Sequence, residues 1–488
     1  MFRHEIYQEL GRRKGEFLAL VAKQAKRVGM PKAWEGTIGL TGSNSARPAY
    51  LRRDIVGAIT AGARGSRNLV SYIDDIRRSV KEEYGDAYDA VPFNSCEAAL
   101  WASLDTLASP PFSGRGDNYR ARYIAYYECH AEHQVAYGRP FPPCFKDVFA
   151  DRANIGGELG VIGRRLTNLD VVITPIEGGR YEAHGIKSFI VPLLTTTNAR
   201  RTKAALERVL ARHGDSVSAL VSLGYDSRGY GYGEKRDGVT PDLKAVMGAL
   251  SREYHIPYII DNARGIPFMG AHPGKLGAGL ILYSMDKVAG APISGLAIGR
   301  NEYVIPLQRA VGWHSERFGG GNLTYGKGAF AAFDPGREGL IGQALALQWI
   351  RKNKRAIRSV VDRAHAILTE ETAPLRKSWG DGILLAKSYN GGAVELNYVD
   401  TWNGRGPGIP IHPIEDKAAS MNLITAGLGV LGILPPSADE GNVIVTLGRG
   451  LLDEDGALLE DRTRVGMRAL TVVLQTLGDF TRAIARGK

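Results

Sequence analysis

Only three cysteines, Cys96, Cys129 and Cys144, occur in 488 residues. So few thiols provide no disulfide framework, which fits a reducing compartment such as the cytoplasm. No apolar run approaches the roughly 20 residues needed to cross a bilayer, and no early apolar signal segment is present, so a membrane role is not expected. Internal repeats and low-complexity tracts are also missing. Metal-ligand spacing is poor: Cys129-His130 with His133 is the nearest approach to a cluster, and no second cluster supports a zinc site, so no metal is expected. Acidic residues are the minority charge, 51 against 62 Lys and Arg, for a net charge of +11. That balance suits anionic ligands or nucleic acid, but the basic residues are dispersed. The densest group, Arg351-Lys352-Asn353-Lys354-Arg355, reads as a solvated helix face, so a nucleic-acid partner is not favoured.

What is present is 44% hydrophobic residues over a length that can bury one large core or two. Residues 6–29 read as one basic, amphipathic helix. Glu5, Glu9 and Glu16 speak against a transit peptide and for a docking helix. Residues 69–84 have helical spacing, with Val70, Ile73, Ile76 and Val80 on one side. Strand-like runs follow at 122–127, 169–174, 185–191, 217–223, 257–260 and 280–283. They alternate with helical stretches at 198–213 and 241–254. This order predicts a mainly parallel sheet. Residues 224–238, rich in Gly and Tyr, are either a lid or a surface loop. Residues 336–375 read as a long helix, a pattern of short strands and turns begins near Ile383, and residues 462–485 close the chain as an amphipathic helix. The expected division is an N-terminal segment 1–40, a large domain 41–335, and a linking helix with a small C-terminal domain 336–488.

Chemistry concentrates at two strand ends. The run Ile259-Ile260-Asp261-Asn262-Ala263-Arg264 delivers a carboxylate at the end of one apolar strand. Tyr283-Ser284-Met285-Asp286-Lys287 delivers Ser-x-x-Lys at the end of the next. Ligands of open α/β sheets sit outside the carboxyl ends of strands. A lysine there suits a Schiff base to a carbonyl cofactor, and an aspartate one strand earlier suits the partner of a pyridinium nitrogen. Upstream, Asn94-Ser95-Cys96 leads into a helix of small residues. Its start is either a phosphate site or an ordinary N-cap at Asn94 or Ser95. Tyr127, which ends the 122–127 strand, or His130 just beyond it is a candidate ring to stack on a flat cofactor.

In this order the residues resemble the core of fold-type I pyridoxal-phosphate (PLP) enzymes, an α/β fold with a large mainly parallel-sheet domain and a smaller C-terminal α+β domain. The likeness is to the β-eliminating lyases, the tryptophanase and tyrosine phenol-lyase group, over about residues 36–295, through Leu40-Thr41-Gly42-Ser43, Gly65-Ser66-Arg67, Asp261-x-x-Arg264 and Ser284-x-x-Lys287. It implies that Lys287 bonds the cofactor aldehyde and shuttles the α-proton. Asp261 would hold the ring nitrogen protonated, and Arg264 would reach the phenolic oxygen. Asn94, Ser95, Cys96 and Ser284 would cradle the phosphate, and Ser222 would face the cofactor oxygen. Thr41, Ser43 and Arg449 would hold the carboxylate of an amino-acid substrate. It also implies a homodimer or homotetramer with shared sites, and β-elimination or β-replacement, with transamination as the alternative. The sequence departs from the group where an aromatic general acid is expected (Thr60-Ala61-Gly62-Ala63-Arg64), at Cys96 in place of Arg, and at Asp286 in place of Lys. The Ser-x-Asp-Lys form also resembles selenocysteine synthases acting on aminoacylated tRNA.

Overall fold

The computed structural model describes residues 1–41, 51–65, 67–108, 122–127, 187–192, 217–224, 242–270, 272–287, 289–312, 333–404, 406–412, 422–439 and 441–487, together with parts of a helix between 203 and 211. The expected strand 169–174 and all of the expected loop 224–238 except Gly224, with Ser43 and His130, lie outside them.

Seven strands form the larger sheet: β1 (Tyr88–Phe93), β2 (Arg122–Tyr127), β3 (Lys187–Pro192), β4 (Val217–Leu223), β5 (Tyr258–Asp261), β6 (Leu280–Ser284) and β7 (Gly295–Arg300). Their order is β1-β7-β6-β5-β4-β2-β3. The pairs β2–β3, β2–β4, β4–β5 and β5–β6 are parallel, while β7 runs antiparallel to both β6 and β1. The parallel strands β5 and β6 are buried throughout, as continuous apolar runs should be when both faces of a sheet are covered. Pro92 sits inside β1, opposite Leu296. A residue with no N–H is tolerated there because β1 is an edge strand.

The helix Leu69–Tyr84 starts and stops where the sequence places it. The Asn68 side chain accepts from Val70 N as its N-cap, and Gly85 follows with a positive φ of 95°. Arg77 then ties the helix to β1 through the Asp89 carboxylate, at 2.9 and 2.6 Å.

A second, four-stranded sheet has the order β10-β11-β9-β8 and is wholly antiparallel: β8 (Leu384–Ser388), β9 (Ala393–Asn397), β10 (Ser437–Asp439) and β11 (Asn442–Thr446). Each sheet has its own apolar cluster. The first gathers Val91, Leu100, Ile260, Leu282 and Ile298; the second gathers Val394, Leu396, Val445, Leu470 and Leu474. The helix Gly336–Glu371 serves both. Its Leu340, Leu347 and Ile350 enter the first, and Val361, Ile367 and Leu368 the second. Between these stretches Asn353 leaves helical geometry (φ −118°, ψ 20°), and its side chain donates to Trp349 O at 2.9 Å. The expected helix 336–375 is therefore kinked, and it ends at Glu371 because Thr372 departs from helical geometry just ahead of Ala373-Pro374.

The N-terminal expectation is also corrected. Residues 6–29 are not one helix but three, Arg3–Arg12, Lys14–Lys23 and Ala25–Val28, broken at Arg13 and Gln24 and closed by left-handed Gly29. The breaks let Ile6, Leu10, Phe17, Val21 and Val28 all reach the second cluster. Among the described residues, no helix is long and apolar enough to cross a membrane.

Candidate active site

The register of the larger sheet sets the site. Leu223 pairs with Asp261, Asp261 with Leu282, and both Ser284 and Phe93 with Gly295. The carboxyl ends of β1, β4, β5 and β6 therefore open on one edge of the sheet, the side on which such folds receive ligands. Gly295 permits the closest approach there. A Cβ on it would lie 2.1 Å from Ser95 O and 2.5 Å from Cys96 N, so the start of the helix Cys96–Ala108 sits flush on the β6–β7 end.

Asp261 is the centre of this edge and is only 4% exposed. Its Oδ1 accepts from Ala263 N at 2.9 Å and from Cys96 Sγ at 3.6 Å. Oδ2 accepts no hydrogen bond from the described residues. Burial pushes its carboxyl above the usual range, partly opposed by the positive charge of Lys287. The Cys96 thiol is pushed well up by burial and by the Asp261 charge, against a lowering pull from Lys287. These mutual influences bring Asp261, Cys96 and Lys287 into one electrostatic neighbourhood. Lys287 is partly exposed, follows the end of β6, and forms no ion pair with the described residues. Asp286, 4% exposed, accepts from Ser284 Oγ at 2.7 Å.

The other expected residues divide. Ser95 Oγ accepts from Ala98 N at 3.1 Å, so its hydroxyl caps the helix; Asn94 is held by its backbone N–H to Phe333 O at 2.8 Å. Ser222 Oγ pairs with the Tyr258 hydroxyl at 2.6 Å, and burial raises that phenol above its usual range. Arg264 donates to Ser437 Oγ at 2.5 Å, at the start of β10 in the second sheet. Thr41 and Arg449 share a different neighbourhood. A Cβ on Gly39 would lie 2.8 Å from Arg449 O, so the chain leading to Thr41 runs against the Arg449 backbone, while the Arg449 side chain is exposed. Tyr127 closes β2; its ring lies outside the described side chains.

Two contributors escaped sequence reasoning. Asn390, in the β8–β9 turn, bonds to Asn262, and Lys244, 2% exposed, donates to Gly224 O at the end of β4. Neither belongs to a local pattern. A lysine within the 241–254 helix reads as surface, and its burial is the signal that only the tertiary structure supplies.

Chemically, the edge offers a buried acid with an open oxygen, a primary amine in the same electrostatic neighbourhood and a helix start. That set can hold a cationic heteroaromatic N–H, a carbonyl and an anion.

No family model matches this sequence, and no curated protein matches it. By structure, the chain is similar to one from the crystal structure of a SepCysS–SepCysE N-terminal domain complex, with a TM-score of 0.51 and 10% identity, over 90% of this chain and 95% of that one. It also aligns with a multiple substrate aminotransferase from Thermococcus profundus (TM-score 0.49, 11% identity, 94% and 95% covered). A third alignment is with ureidoglycine–glyoxylate aminotransferase from Bacillus subtilis (TM-score 0.48, 11% identity, 94% and 98% covered). The fold is fold type I. At these identities the likeness is one of fold, and the fold-type I sheet with its smaller antiparallel companion is the architecture that the family resemblance implied.

Proposed function

We propose that this chain is a PLP-dependent enzyme acting on an amino-acid substrate. The observation that carries the reading is the open Oδ2 of buried Asp261, with Lys287 following the end of the adjacent parallel strand on the same sheet edge. A protonated ring nitrogen would complete that carboxylate and relieve the cost of burying it unpaired. Lys287 would bond the aldehyde carbon. The phosphate end fits through backbone N–H groups at the start of the helix Cys96–Ala108, with Gly295 leaving no side chain between. Ser284 joins that cradle only by turning its hydroxyl from Asp286.

When bound, PLP supplies an electron sink for charge developing at the substrate α-carbon. The chain's own residues do the rest. Asp261 would keep the ring nitrogen cationic. Lys287 Nζ would carry the α-proton. Thr41 and Arg449 belong to a neighbourhood suited to a carboxylate, Arg449 by a bidentate pair. In this reading residues 41–335 hold the cofactor, residues 336–488 complete the site, and two or four copies assemble around shared sites. β-Elimination or β-replacement is the reaction favoured by the Asp261-x-x-Arg264 and Ser284-x-x-Lys287 likeness. Transamination and a tRNA-linked selenocysteine-synthase-like transfer are the alternatives.

The visible spectrum of the purified chain with added PLP tests the reading. The expected result is a yellow chromophore that borohydride fixes covalently to the peptide containing Lys287, and that Lys287→Ala abolishes. A colourless chain that takes up no PLP overturns it. Keto acid and ammonia formed without a keto-acid acceptor would select elimination over transamination.

A further inference from the structure

Asn390 belongs to the second sheet, in an Asn-Gly-Gly turn between β8 and β9, yet its side chain is spent on the first. Its Nδ2 donates to Asn262 Oδ1 at 3.0 Å and to Gly224 O at 3.0 Å, and its Oδ1 accepts from Asn262 Nδ2 at 3.0 Å. Its backbone O accepts from Ile266 N at 2.7 Å. Asn390 is 4% exposed and Asn262 fully buried. Two glycines bracket the pair: a Cβ on Gly224 would lie 2.3 Å from Asn262 Oδ1, and one on Gly265 would lie 2.0 Å from Asn262 Nδ2. Asn262 N is held in turn by Leu282 O at 2.8 Å. A turn residue of the small sheet thus joins the ends of β4 and β5 and the loop beyond Asp261 in one satisfied polar network.

Burying two amides is costly unless each finds its partners, and a reciprocal pair leaves little freedom in where either sits. Asn262 immediately follows Asp261. The donor that orients Asp261 Oδ1, Ala263 N, immediately follows Asn262. Whatever fixes Asn262 therefore fixes both the carboxylate and its donor.

We propose that Asn390 is a positioning residue for Asp261, acting through the reciprocal amide pair with Asn262 to hold the carboxylate's open oxygen toward the bound ring. The proposal rests on the reading that Asp261 receives the ring nitrogen of PLP. It adds that the smaller sheet sets the geometry of that contact from behind.

The test uses the full chain as wild type, Asn390→Ala and Asn390→Asp, each checked for a cooperative melt. PLP binding is titrated from pH 6 to 9, and alkylation of Cys96 is followed by peptide mass in the cofactor-free protein. Asn390→Ala removes the amide that bonds Asn262 and Gly224, and is expected to weaken PLP binding about tenfold and to speed Cys96 alkylation by about the same factor. Asn390→Asp carries its own control. Protonated, the introduced carboxyl still accepts from Asn262 Nδ2 and keeps one of the two bonds that the amide donates to Asn262 Oδ1 and Gly224 O. Ionised, it faces the Asn262 and Gly224 oxygens with no donor. Its PLP affinity should lie nearest wild type at the acid end and fall as pH rises, more steeply than wild type, a signature that general destabilisation does not produce. Variants that fold and keep wild-type PLP affinity and Cys96 reactivity across the range overturn the proposal. A wild type that takes up no PLP overturns the functional reading instead; the Cys96 rates then decide the positioning claim alone, faster alkylation in the variants supporting it and unchanged rates refuting it.

Discussion

The Cys96 sulfur lies 3.6 Å from Oδ1 of Asp261, the same oxygen that accepts the Ala263 N–H at 2.9 Å. A thiol is a weak donor, but a buried carboxylate gains from every donor it has. Cys96→Ala should weaken PLP binding several-fold, about 1 kcal/mol, while Cys96→Ser, which keeps a hydroxyl donor, should lose less. Equilibrium titration of the three proteins checks this order. Equal affinities would mean that the contact does not support the carboxylate.

Asp261 also makes the cofactor-free fold pH-dependent. Its carboxyl is raised above the unfolded value by burial. Between the two values the folded chain binds more proton than the unfolded one, so stability is present at low pH and falls as pH rises through the folded value. Asp261→Asn removes that dependence. The cofactor-free variant should melt higher than wild type at neutral pH, with the gap closing toward acid, and it should no longer hold PLP as wild type does. Thermal melts across pH, without cofactor, read the effect, and a constant gap would contradict it.

Gly295 is the closest backbone contact at the site edge. In Gly295→Ala the new methyl meets Ser95 O, Ser95 C and Cys96 N, at 2.1, 2.2 and 2.5 Å before relaxation. These are backbone atoms, so relief requires the helix start to move. A cost of about 1–3 kcal/mol or more is expected, with weaker PLP binding because the phosphate end is displaced. Urea unfolding at unchanged slope would report the stability loss.

The N-terminal segment can be tested at Phe17, which is fully buried against the second cluster with its ring centroid 6.0 Å from that of Phe480. Phe17→Ala should cost about 3–5 kcal/mol, as for a large core truncation. A loss below about 0.5 kcal/mol, the range of ordinary surface changes, would show that the segment does not contribute to the core.

Local chemistry wrote part of this protein plainly. The helix Leu69–Tyr84 was legible because its apolar period, its Asn68 cap and its Gly85 stop all lie within it or beside it. Asp261 and Lys287 stood out because a polar residue ending an apolar strand is a local contrast. The breaks at Arg13 and Gln24 were hidden, since neither position is a Gly or Pro. Asn390 was hidden for a different reason: its partner Asn262 is 128 positions away, and an Asn-Gly-Gly run reads as an ordinary turn. Arg264 meets Ser437 across 173 positions, so the motif spacing that singles out Arg264 says nothing of where its guanidinium goes.

The sequence by itself determined the strand–helix order, the mainly parallel sheet and the two strand ends that carry the acid and the amine, because periodicity and strand termini are properties of neighbouring residues. The tertiary structure decided which side chains those groups meet: Cys96 on Asp261, Ser284 on Asp286, Arg264 on Ser437 and Asn390 on Asn262. Those pairings follow from strand register and from the packing of one sheet against the other, which set distances between residues far apart in the chain.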